Sequence, residues 1–146
     1  MLENLGISFL WLLVAYSVVT GVGIVHMYIF HAFLGVPNAK QAGTSYLKSP
    51  AYVKTIPYQA LYNVVIFPIF LWFYVKGMTT DNLKELMFIT VIQWTAISIL
   101  MDYVAWVLIP HKFRFTHREF YVDYQPWITF IYLAIFVSHY ILGFFI

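Results

Sequence analysis

Apolar positions gather into four long runs separated by three polar connections. This pattern predicts four membrane-crossing helices at about residues 7–35, 57–77, 84–110 and 127–146. A crossing helix needs about 20 mainly apolar residues, and each run meets that length. The first and third are long enough to tilt or to protrude into the headgroups. The expected fold is all-α: a polytopic membrane protein with its four transmembrane helices in one small bundle, residues 1–146 forming a single domain. The short second connection predicts an antiparallel hairpin of spans two and three. The first run makes a poor signal peptide, because Glu3 stands where positive charge belongs and no small-residue cleavage site follows. It is therefore expected to stay as a mature helix.

Boundary chemistry supports the runs. Pro57 suits the start of a helix, where its missing N–H would be unpaired in any case. Asn82 with Glu85, and Thr116 with Glu119, have the spacing of capping boxes. Pro68 lies inside span two and predicts a kink, since Val64 loses the usual donor to its carbonyl. Pro37, Gly43 and Pro50 punctuate the first connection. In span one, Ser17 and Gly21 form a small-xxx-small pair that predicts close helix approach.

Composition sharpens the class. Hydrophobic residues make up 62% of the chain and charged residues 10%, with a mean hydropathy of +0.79. A soluble domain carries about 25% charged residues, so this chain needs lipid as its solvent. The net charge of +2 is small and does not suggest nucleic-acid binding, which needs a dense basic face. Without cysteine there is no disulfide, thiol catalysis or iron–sulfur ligation. Lys40, Lys48 and Lys54 lie in the first connection and Lys112, Arg114 and Arg118 in the third. Only Lys76 and Lys84 flank the second. The positive-inside rule then puts connections 36–56 and 111–126 in the cytoplasm and both termini on the other side of a cell membrane.

The candidate chemistry starts from Asp102. A charged group deep in a bilayer is costly and marks a functional position. At about 1.5 Å per residue, His26 and Asp102 sit roughly 7–8 Å to the cytoplasmic side of mid-membrane, with Asn63 at about 5 Å. Gln59 and His31 lie nearer the cytoplasmic mouth. These five residues are the expected proton or ligand site, in which an imidazole beside Asp102 would titrate near neutral pH. The alternative is interhelical glue. Two stripes accompany the layer at helical spacing: Thr95, Ser98, Asp102 and Trp106 on span three, and Tyr16, Thr20, Gly23, Met27 and His31 on span one. His139 shares a face of span four with Thr129, Tyr132 and Phe136, and is expected to be a packing residue.

Residues 111–126 admit two readings. His111, His117 and Glu119 are candidate metal ligands, although no established ligand spacing is present. An interfacial segment is the other reading: Lys112, Arg114 and Arg118 would reach anionic headgroups while Phe113, Phe115, Phe120 and Tyr121 insert at the boundary. No phosphate-cradling loop or nucleophile elbow occurs, so catalysis has no support and no cofactor is expected. The leading functional expectation is a small transporter or permeation protein, built as a homodimer or with a membrane partner. The alternatives are a non-catalytic assembly or immunity-type partner and a histidine-metal membrane enzyme.

Overall fold

The computed structural model describes residues 2–111 and 113–146. Helix accounts for 79% of the chain, and no described residue lies in a strand. The long helices are α1 (Leu2–Leu34), α4 (Ile56–Lys76), α5 (Leu83–Asp102) and α6 (Trp127–Gly143). Two short helices, α2 (Ala39–Ala42) and α3 (Pro50–Val53), occupy the first connection. Beyond Asp102 the ladder widens into a π-helical stretch, Tyr103–Leu108, and Ile109 N–H donates to Val104 O at 3.0 Å. A second π turn covers Glu119–Asp123.

Three helical stretches are long and apolar enough to cross a membrane: Gly6–Leu34, Ile56–Lys76 and Leu83–Leu108. The fourth apolar helix, Trp127–Gly143, is shorter; its 17 residues reach about 25 Å. The outer surface is apolar, with Leu61 and Val65 58% and 59% exposed. Such a surface is suited to acyl chains.

Local signals appear largely where expected. Thr116 and Glu119 form a reciprocal capping box: Thr116 N–H donates to Glu119 Oε2 at 2.8 Å, and Glu119 N–H to Thr116 Oγ1 at 3.2 Å. Asn82 accepts from Glu85 N–H at 3.2 Å, but its own N–H turns to Thr80 Oγ1. Only half of that box is made. Pro57 is in the first turn of α4, and α4 continues through Pro68 to Lys76. At the end of α1, Gly35 takes φ +65° and lets Val36 N–H reach back to Phe30 O at 3.1 Å. That backbone region is open to glycine at little cost.

Packing departs from the expected hairpin. The most extensive interface joins α4 to α6; α4 also packs on α1, and α6 on α5. The order around the bundle is therefore α1–α4–α6–α5. The α4 and α5 backbones scarcely approach, although the two helices are consecutive. Trp94 bridges them across the centre: fully buried, it sets its ring edge-on to Phe67 of α4 at 6.0 Å. Its indole N–H donates to Ser8 Oγ at 2.9 Å and Ser8 O at 3.1 Å on α1. Lipid gives apolar surfaces no reason to associate, so van der Waals fit and such hydrogen bonds decide which helices touch.

Within the chain, no helix among the described residues packs on the small-xxx-small pair. A Cβ built on Gly21 would meet no atom within 4 Å, and Ser17 is exposed, its hydroxyl donating to Leu13 O at 2.7 Å. α1 uses another face for its neighbours.

Two apolar clusters fill the interior. One surrounds Trp94, Phe67 and Leu71. The other joins Val107 and Ile128 to Phe115, Phe120 and Tyr124 of the third connection. Phe115 and Phe120 thus face into the protein, not into the lipid boundary as expected. Phe115 N–H donates to Trp106 O at 2.8 Å, folding the connection back over the end of α5. Arg114 and Arg118 remain exposed, and Lys112 lies outside the described residues.

Candidate functional site

Between the two clusters is a cavity of about 330 Å³. Helices α1, α4, α5 and α6 wall it, and the first and third connections cover one end through Tyr46, Leu47, Phe113 and Phe115. A single chain supplies this lining.

Asp102 opens onto the cavity and is 8% exposed. It closes the α-helical part of α5, where the ladder changes to π spacing. A π turn inside a helix often accompanies a functional position. The Tyr16 hydroxyl of α1 donates to Asp102 Oδ1. The Tyr132 hydroxyl of α6 donates to Oδ2 at 2.8 Å. Trp106 Nε1–H donates to the Tyr16 oxygen at 3.0 Å, so Tyr16 relays between indole and carboxylate. Three helices meet at this one acid.

Ser98 stands one turn before Asp102 on the same face. It is 1% exposed, lines the cavity, and its Oγ has no hydrogen-bond partner. A buried hydroxyl left unpaired is costly, and a polar guest would relieve that cost.

Opposite, α4 contributes Gln59 and Asn63 to the lining. Asn63 Nδ2 donates to Gln59 O at 2.7 Å. Gln59 Oε1 accepts from the Tyr124 hydroxyl, and Tyr124 and Tyr52 hydroxyls lie 3.3 Å apart. The cavity is lined by one acid and by no Lys, Arg or His among the described residues.

The expected layer therefore divides. Asn63, Gln59 and Asp102 face one cavity. His26 does not: its Nδ1 meets the Tyr62 hydroxyl and its ring stacks on Phe30 at 4.6 Å. Tyrosines, not an imidazole, partner Asp102. His31 is engaged at the end of α1, its Nδ1 2.9 Å from Val36 O and its Nε2 3.0 Å from Asn38 Nδ2. One neutral tautomer satisfies both contacts: Nδ1–H donates to the carbonyl and Nε2 accepts from the amide. His139 Nδ1 lies 2.7 Å from Phe136 O within a ring of aromatics.

The metal candidates stand apart. His111 Nε2 is 2.6 Å from Ala105 O, His117 packs on Tyr103 with ring centroids 5.4 Å apart, and Glu119 pairs with Lys48 at 2.6 Å. No three His, Asp or Glu side chains gather as a ligand set among the described residues. The Lys48–Glu119 pair ties the first connection to the third beside the cavity's covered end. Hydrogen bonding to Lys48, then to the Thr116 backbone, lowers the Glu119 carboxyl to about 2.

The polar roles of the four tyrosines at positions 16, 52, 124 and 132 are not marked by the polar pattern of the sequence. A signal was present for one of them: the Tyr16, Thr20, Gly23 and Met27 stripe lines the cavity, facing the Ser98, Asp102 and Trp106 stripe.

No protein-family model, curated protein or solved structure matches this chain.

Proposed function

We propose that the chain is a four-span membrane protein that binds a small molecule in this chamber and passes it, or a coupled proton, towards the side of the two long connections. In this reading α6 is the fourth crossing, connections 36–56 and 111–126 are cytoplasmic, and both termini lie outside. The packing of α6 against both α4 and α5 supports counting it as a crossing. Its modest length falls at the lower bound of about 17 residues for a spanning helix.

The observation that carries the reading is a chamber bearing, among the described residues, a carboxylate with no basic neighbour and a buried hydroxyl with no partner. Structural glue alone needs neither a cavity nor an unpaired hydroxyl. Transporters hold substrates near mid-membrane on helices whose regular ladder is interrupted; α5 is interrupted beside Asp102.

The absence of cysteine makes the test direct, since one introduced thiol is a unique reporter. Ser98→Cys, in oriented vesicles, is expected to react with a small water-soluble methanethiosulfonate applied to the cytoplasmic face. Ser45→Cys, exposed in the first connection, reports the side. If Ser45→Cys reacts while Ser98→Cys stays inert from both faces, no aqueous ligand reaches the chamber and the reading fails.

A further inference from the structure

We infer that the chamber selects a small amphiphilic cation, with its ammonium group on Asp102 and Ser98 and its apolar body against the aromatic wall. This rests on the binding reading above and deepens it. Four observations converge.

The first is charge. Asp102 is the one acid lining the cavity, and no basic side chain compensates it among the described residues. A buried carboxylate without a counter-charge is unfavourable, and a cationic guest supplies that charge. An anionic guest meets repulsion, and a neutral one leaves the charge unanswered.

The second is remaining hydrogen-bond capacity. Each carboxylate oxygen accepts one phenol, yet a carboxylate offers about four lone-pair directions. Room is left for guest N–H groups. Ser98 Oγ, unpaired and one helical turn away, is a second acceptor for the same group.

The third is the wall. Trp106, Tyr52, Phe115, Phe120 and Tyr124 line the same space. Aromatic faces carry partial negative charge and attract cations, ammonium groups above all. The fourth is size. About 330 Å³ lies near the small end of the range of about 300–1,000 Å³ for small-molecule sites, so the guest has roughly one ring or a short alkyl chain.

Among the described residues, the titratable groups around Asp102 in the cavity are phenols: its partners Tyr16 on α1 and Tyr132 on α6, then Tyr62 on α4, Tyr52 on α3, and Tyr46 and Tyr124 of the connections. Asn63 and Gln59 on α4 do not titrate. A proton and an organic cation therefore compete for one carboxylate.

The test uses the full chain in nanodiscs, titrated calorimetrically against protein-free nanodiscs. The probes share a phenylpropyl skeleton: 3-phenylpropylamine, 3-phenylpropan-1-ol and 3-phenylpropanoate, with benzyltrimethylammonium as a permanent cation. The amine is expected to bind at least tenfold tighter than the alcohol, and the propanoate most weakly. Asp102→Asn should remove the amine's advantage. Ser98→Ala should weaken the amine severalfold and leave benzyltrimethylammonium, which has no N–H, unchanged. On the wild type alone, benzyltrimethylammonium binding should weaken as pH falls while alcohol binding holds steady. This arm decides the matter if Asp102→Asn does not fold.

Equal binding of amine and alcohol would overturn the inference and leave the chamber reading standing. So would an amine advantage that survives in Asp102→Asn, or cation binding indifferent to pH. Binding of no probe would sink the chamber reading with it, leaving Asp102 as a structural acceptor for two phenols.

Discussion

Tyr16→Phe should destabilise the bundle about twice as much as Tyr132→Phe, although each change removes one hydroxyl. The Tyr132 hydroxyl makes one bond, to Asp102 Oδ2. The Tyr16 hydroxyl makes two, donating to Oδ1 and accepting from Trp106 Nε1. Removing it deprives the carboxylate of a donor and leaves an indole N–H without its acceptor. Interhelical hydrogen bonds in membrane proteins average about 0.6 kcal/mol and reach about 1.7; a charged acceptor lies at the upper end of hydrogen-bond strengths. Tyr132→Phe is then expected to cost about 1 kcal/mol and Tyr16→Phe about 2 kcal/mol. The assay is reversible unfolding in mixed micelles, with the Tyr16→Phe and Trp106→Phe variants closed into a double-mutant cycle. Their coupling should be about 1 kcal/mol. If Tyr16→Phe costs no more than Tyr132→Phe, or if the cycle shows no coupling, the relay through Tyr16 does not exist and the account of Asp102 fails.

Two further outcomes follow from the connections. Glu119 is held down to about 2 from an ordinary 4.5, so its contribution to stability is complete above pH 4.5 and is lost as pH falls towards 2. Wild type should lose more thermal stability than Glu119→Gln over that window, by a margin that shrinks at high salt because the pair is at the surface; identical acid profiles would show that the tie between connections contributes nothing. Gly35→Ala should cost about 1–2 kcal/mol through its left-handed backbone alone, since a Cβ there meets no atom within 4 Å. Gly77→Ala is the control, with φ −84° and only an ordinary contact at 3.6 Å to Tyr74 O; equal effects in unfolding experiments would contradict the assigned turn.

The class of this protein was legible in the chain because it depends on local quantities. The length and apolarity of a run are summed over neighbouring residues, and so predict helices suited to lipid. The Thr116–Glu119 cap spans one turn and needs no distant partner. The stripes were legible too: Ser98, Asp102 and Trp106 share a face by spacing alone. Which helices touch was not legible. The short link between α4 and α5 suggested a hairpin, but the main packing of each is against α6, with side chains such as Trp94 reaching across the centre. The partners of Asp102 were hidden for the same reason. Tyr16 and Tyr132 lie 86 and 30 residues away along the chain, and only the rotation of α1 and α6 turns their hydroxyls inward. His26 shows the limit most clearly. Counting residues places it level with Asp102, but depth says nothing of direction around the helix. The packing of α1 turns Gly23 and Met27 to the chamber and His26 to Tyr62, because direction is decided by side chains that neighbour one another only after the helices assemble.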